Sequence, residues 1–268
     1  MKTGGRLHCN AAFRRSHFGV SLAANGFAGT CSPSSFVDDE TPETIFRMKQ
    51  FARRGSPYDL AELIADGIVH GVGVVMALVG ATVLIFYAAV WTSAAQIAAA
   101  AVYSAGLVLT LSISFSYNLW PPRAGRSKAI WKRLDHSSIF ILIAATYTPF
   151  LQRGMGDPLI MALFVGVWII AALGIALKMA WPGRYDRLAI LLYLAMGWSG
   201  ILVARPLFPL LPLATSILIV IGGVIYSAGV LFHVWEKLRF QNAIWHGFVV
   251  AAAAVHYAAV LTCFSLAG

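Results

Sequence analysis

Apolar residues run through this chain in long unbroken blocks, separated by short polar stretches that are mostly basic. Seven blocks, at roughly 66–90, 95–119, 136–152, 159–180, 188–204, 213–235 and 244–266, approach the ~20 residues that carry a helix across a bilayer core. Their continuity speaks against barrel strands, which alternate apolar and polar positions with period two. The pattern predicts an all-α membrane protein, a bundle of seven transmembrane helices. The third and fifth blocks are the shortest. One carries the polar string AATYTPF, and the other ends at Arg205-Pro206.

Basic residues then orient the bundle. Lys and Arg collect in cytoplasmic loops near helix ends. Of the twenty in this chain, eight precede the first block and five (Arg123, Arg126, Lys128, Lys132, Arg133) separate the second from the third. Lys178, Arg184 and Arg187 follow the fourth, and Lys237 and Arg239 follow the sixth. The other side holds only Arg153 and Arg205. This alternation supports the count of seven and places the N-terminus in the cytoplasm and the C-terminus outside.

Composition agrees. The residues are 59% hydrophobic and 12% charged, with a mean hydropathy of +0.75. A soluble domain carries about 25% charged residues. The formal charge of +9 does not point to nucleic acid, because the basic residues lie between apolar segments rather than on one domain. Membrane lipids are the expected partners, the anionic cytoplasmic leaflet first among them. The expected location is the inner (plasma) membrane, with multiple passes. Cys9, Cys31 and Cys263 have no metal-ligand spacing and suggest no disulfide framework. Residues 1–55 form a polar, basic tail without the apolar run of a cleaved signal peptide. Disorder is its expected state, and an extension ahead of a start at Met48 is the alternative. The membrane domain is expected over 56–268, opening at Ser56-Pro57-Tyr58-Asp59 with a capping serine and a proline at the first helical position.

Ionisable groups near the bilayer centre cost about 2.5–3.5 kcal/mol each on insertion scales. They are functional candidates by default. Glu62, Asp66 and His70 share one face of the first helix at i, i+4, i+8. Ser114 and Asn118 end the second, Asp135 and His136 start the third, His233 ends the sixth, and Asn242 and His246 start the seventh. Five helices thus bring polar groups to one layer, the cytoplasmic third. His256 lies ten residues beyond His246, about 15 Å deeper. Each group also has a plainer role. Glu62 and His233 fit snorkelling to the headgroups, Asp66 and His70 a local pair, and Asp135 a helix-dipole carboxylate. His246 and His256 fit packed core histidines. Tyr147 and Thr148 beside Pro149 line a cavity or satisfy backbone freed by the proline.

Four strings carry a family resemblance: ELIADGIVHGVG (62–73), SFSYNLW (114–120), RLDHSSIFILIAATYTPF (133–150) and QNAIWHGFVVAAAAVHY (241–257). Over about 60–268 the chain resembles the haemolysin III family, the bacterial branch of the progestin and adipoQ receptor group that includes the adiponectin receptors. The resemblance implies a zinc ion near the cytoplasmic face. One histidine ending helix 2 and a His-x3-His pair on helix 7 hold it, and the helix-3 aspartate holds a zinc-bound water. It also implies hydrolysis of a lipid amide, as in the related alkaline ceramidases. Three ligands and an open position acidify water to a pKa near about 7. This chain departs at two ligands: Asn118 and Asn242 stand where histidines are expected, and only His246 matches. An amide oxygen is a poor zinc ligand. The asparagines weigh against zinc in the standard site, and His70, His136 or His233 would have to complete a rearranged one.

Three functions follow. A metal-dependent hydrolase of lipid amides or esters would use Asp135 to orient water, His246 as ligand or base, Ser114 for oxyanion support, and His70. A non-enzymatic, lipid-responsive or membrane-homeostasis protein would keep the same polar pocket as a hydrogen-bonded network. A pore-forming cytolysin ranks last, since the polar layer does not continue across the membrane. Oligomeric state and substrate are not written in the sequence. The topology is directly testable. A periplasmic reporter fused after Gly268 should be active and a cytosol-only fluorescent reporter dark, and the opposite pair of results would invert the bundle.

Overall fold

The computed structural model describes residues 60–119, 126–181, 183–235 and 237–265. The tail at 1–55, the helix start at Ser56–Asp59 and Arg123 lie outside the described residues.

Seven long helices make up the described chain: α1 (Leu60–Trp91), α2 (Ala94–Leu119), α3 (Arg126–Leu151), α4 (Pro158–Ala180), α5 (Asp186–Trp198), α6 (Leu213–His233) and α7 (Gln241–Ser265). No strand occurs among the described residues. Six spans, with α5 continued through Leu210, are long and apolar enough to cross a membrane. The seventh helix, α3, is 26 residues long but diluted by Asp135, His136, Ser137, Ser138 and the Thr146–Thr148 segment. It is the block whose sequence is least apolar, and it packs between α2 and α4.

Local sequence explains the boundaries. Between α1 and α2, the Ser93 and Gln96 side chains bond each other's backbone N–H at 3.4 and 3.1 Å, a reciprocal cap on the first turn of α2. Asp157 caps α4 by accepting from Leu159 and Ile160 N–H at 2.8 and 3.2 Å, with Pro158 at the first helical position. The fifth span is the irregular one. Its α-helix stops at Trp198 and continues as 3-10 turns (Ser199–Val203 and Phe208–Leu210) around the short helical turn Ala204–Leu207.

Each consecutive pair from α1 to α4 packs together, α6 packs on α7, and α7 returns to α1. α5 fits more loosely between α3, α4 and α6. On α1 the buried positions are Asp66, His70, Gly73, Ala77, Leu84 and Ala88, a single helical stripe. Ile64, Ile68, Val72, Val75, Val79, Val83, Phe86 and Val90 are exposed, the face that lipid covers. The buried core joins Leu84, Ala100, Tyr103, Leu107, Leu151, Val260 and Cys263.

Small residues allow close approach. A Cβ built on Gly106 of α2 would stand 2.6 Å from the Cβ of Ala145 on α3. A Cβ on Gly166 of α4 meets nothing within 4 Å. Gly106→Leu should therefore force α2 from α3 and lower the unfolding temperature in detergent by about 2–8 °C. Gly166→Leu should leave it unchanged. Equal behaviour of the two variants in a thermal melt would contradict this packing.

Candidate functional site

Asp66 and His70 lie one turn apart on the buried stripe of α1, 4% and 3% exposed. His246 enters from the first turns of α7. The ligand atoms of these three residues all lie within 4.8 Å of one another. His246 Nδ1 is 2.7 Å from Asp66 Oδ1, and the two imidazole rings meet edge to face with centroids 4.0 Å apart.

The bonding fixes much of the proton arrangement. A carbonyl only accepts, so His70 Nδ1–H donates to the Asp66 carbonyl at 2.8 Å. His70 Nε2 then faces α2, 3.1 Å from Ser114 Oγ and 3.2 Å from Asn118 Nδ2. In the neutral ring that nitrogen accepts. Asn118 also donates to the Ser114 carbonyl at 2.9 Å. An ionised carboxylate only accepts, so His246 donates Nδ1–H to Asp66 and keeps its Nε2 lone pair.

Glu62, one turn before Asp66, fastens α7 to α1. Its Oε1 accepts the Phe240 N–H at 2.9 Å, just ahead of the first residue of α7. Phe240 has φ 59°, the left-handed region that a phenylalanine rarely adopts, and this bond helps hold it there.

The cluster opens on a cavity of about 1130 Å³. His70, Ser114, Asn118, Asp135, Asn242 and His246 all line it. It extends to Phe150, Leu207, Ile219 and His256, so most of its depth is apolar. Tyr147 reaches it from α3. Its hydroxyl lies 2.9 and 2.8 Å from the carbonyls of Met196 and Gly197 and accepts from Gly200 N–H at 2.8 Å. One side chain thus serves the backbone freed where α5 breaks. Thr148 is buried and bonds the Ala144 carbonyl at 3.0 Å, not the Ala145 carbonyl that Pro149 leaves without a helical donor. His256 donates no metal ligand to the cluster; its Nε2 sits 3.2 Å from the Ile219 carbonyl.

The donor set of one carboxylate and two imidazoles suits a catalytic zinc, which takes three protein ligands and leaves a position open. Only His246 is shared with the pattern that the family resemblance implies. His70 supplies a second imidazole from α1, while His136 and His233 stay apart. His136 Nδ1 lies 4.0 Å from Asp186 on α5, and the His233 ring packs on Trp245 at 4.9 Å. Asn118 lies against His70 and Ser114, and Asn242 on the cavity wall. The α1 face that carries Asp66 is legible in the sequence, but its place at the centre of the cluster is not. The i, i+4 spacing of Asp66 and His70 was the available signal. Lys178 and Asp186 were missed as cavity groups. Both sit at helix ends, where a charge reads as a loop residue.

Comparison with known proteins agrees with this architecture. The family model described as "Haemolysin-III related" matches residues 61–257. The chain is 36% identical over 205 residues to the "Hemolysin-3 homolog" of Bacillus subtilis (strain 168), covering 76% of this chain and 95% of that one. It is 35% identical over 219 residues to "Hemolysin-3" of Bacillus cereus, covering 82% and 95%. A rice (Oryza sativa subsp. japonica) protein, "Heptahelical transmembrane protein ADIPOR2", is 26% identical over 181 residues, covering 59% and 79%. With seven helices, polar groups gathered from α1, α2, α3 and α7, and a family match over most of its length, this chain belongs to the haemolysin III family of multi-pass membrane proteins.

Proposed function

We propose that this protein is a metal-dependent hydrolase of lipid amides or esters in the inner membrane. One observation carries the reading: Asp66, His70 and His246 converge within 4.8 Å, and the two histidines line a cavity of about 1130 Å³. An apolar cavity with a few convergent polar groups is the usual form of a small-molecule site.

Asp66, His70 and His246 would hold the ion. When bound, zinc acidifies a coordinated water and polarises a carbonyl oxygen. The chain supplies the rest. Asp135, the tenth residue of α3 and part of the same cavity wall, serves as the base that holds a water and takes its proton, not as a helix-start carboxylate. Ser114 and Asn118, whose donors meet His70 Nε2 in this structure, would be released toward a developing oxyanion once that nitrogen turns to the ion. The apolar depth past Phe150 and Leu207 takes an acyl chain and keeps bulk water from the reacting bond.

A second reading is favoured by the hydrogen bonds themselves. Both nitrogens of His70 have protein partners, and Asp66 already accepts from His246. These bonds form without an ion, as a lipid-responsive, non-enzymatic bundle would require.

Elemental analysis of protein purified without chelator separates the two. The hydrolase reading expects close to one zinc per chain, with occupancy at limiting zinc falling by about tenfold or more in His246→Ala and Asp66→Asn. Zinc no higher than in His246→Ala would overturn it. In proteoliposomes, fatty-acid release from a lipid amide or ester should fall by about 100-fold or more in Asp135→Ala. Retained hydrolysis in that variant would remove Asp135 from its role as base.

A further inference from the structure

The cavity has a chemically distinct mouth. Lys132 from α3, Lys178 from α4, Arg187 from α5, and Lys237 and Arg239 from the segment before α7 all line it. The acids lining the same cavity are fewer, and two are engaged: Glu62 by the Phe240 N–H, and Asp186 by Lys178. Among the described residues, Lys132, Arg187, Lys237 and Arg239 have no carboxylate within ion-pair distance, and all four are exposed. The general excess of basic residues on one side of a membrane protein explains cations on these loops. It does not explain why these five turn to the cavity while Arg184 and Lys128, on the same side, do not line it.

Lys178 sharpens the point. It is 3% exposed on an otherwise apolar helix, and its ammonium lies 2.5 Å from Asp186 Oδ1. His136 Nδ1 lies 4.0 Å from the same oxygen. An anionic oxygen is therefore already held in this corner by a lysine, with an imidazole beside it. Asp186 is 40% exposed at its side chain, so the corner is reachable from the mouth.

We propose that the mouth recognises a phosphate-bearing lipid headgroup, with the acyl chains running into the apolar depth. A phosphate monoester carries a charge of about −1.5 to −2 and three acceptor oxygens, enough to engage several of these cations at once. The inference rests on the reading of the cavity as a lipid-hydrolase site and names its substrate class. The headgroup ester stays intact, and the bond cut is the acyl linkage nearer Asp66, His70 and His246.

The test is a binding titration in uncharged maltoside detergent, read by intrinsic tryptophan fluorescence, since Trp198 and Trp245 line the cavity. Dioctanoyl phosphatidic acid should bind at least about tenfold more tightly than dioctanoylglycerol, the scale of one charge-assisted contact. The double variants Lys132→Gln/Arg187→Gln and Lys237→Gln/Arg239→Gln should each erase most of that preference. Arg184→Gln, which removes an exposed cation outside the cavity, should keep it. Equal affinity for the two lipids, or equal losses in Arg184→Gln, would overturn the proposal. Competition by inorganic phosphate at concentrations comparable to the lipid would assign the site to the free anion and overturn the lipid assignment. Zinc content and acyl hydrolysis measured on the same preparations keep the two readings apart. A phosphate preference without either one sinks the hydrolase alone, and both without a preference sink the headgroup alone.

Discussion

A carboxylate buried in a lipid-facing bundle must find its partners inside the protein, and Asp66 governs the arrangement around it. Water is not there to solvate it, so its charge persists only beside donors. His246 reaches it from α7, and His70 lies a turn away on α1. The contact draws the first and last helices together at one level. Glu62 repeats the clamp one turn nearer the helix start, through the Phe240 backbone. Leaving one partner out would strand a charge in a low-dielectric interior, which is destabilising.

That closure shapes the space beside it. With α7 held on α1, and α1 to α4 packed in sequence, the remaining volume lies toward α5, the loosest helix. The α5 backbone is free to break after Trp198 because Tyr147 and the cavity accommodate its unpaired groups. The cavity consequently has two ends of opposite character. Cations and the polar cluster stand at the basic side, and aromatic and aliphatic side chains line the depth. An amphipathic molecule with an anionic head matches that gradient in one orientation only.

Much of this architecture was legible in the chain. The seven blocks correspond to the seven helices, with α3 starting ten residues earlier than its apolar core because Arg126–Asp135 is polar yet helical. The fifth block's weakness near Arg205-Pro206 corresponds to a real break, though it begins sooner, at Trp198. The level shared by Asp66, His70, Ser114, Asn118, Asp135 and His246 follows from helix rise and topology alone. Their grouping does not. The family pattern directed attention to Asn118 and Asn242, whereas the described carboxylate and imidazoles that meet are Asp66, His70 and His246.

The sequence by itself determined the membrane class, the helix count, the alternation of basic segments between successive helices and the position of each polar residue along its helix. These depend on local apolarity and on counting residues along a helix of fixed rise. Only the tertiary structure decided which of the polar groups touch, that His136 turns toward Asp186 instead of the cluster, and that Lys178 faces a cavity rather than the headgroups. Those outcomes depend on how far each helix rotates about its own axis when packed. That rotation is fixed by contacts between residues distant in the chain, such as Glu62 with Phe240 and Asp66 with His246, which no local pattern encodes.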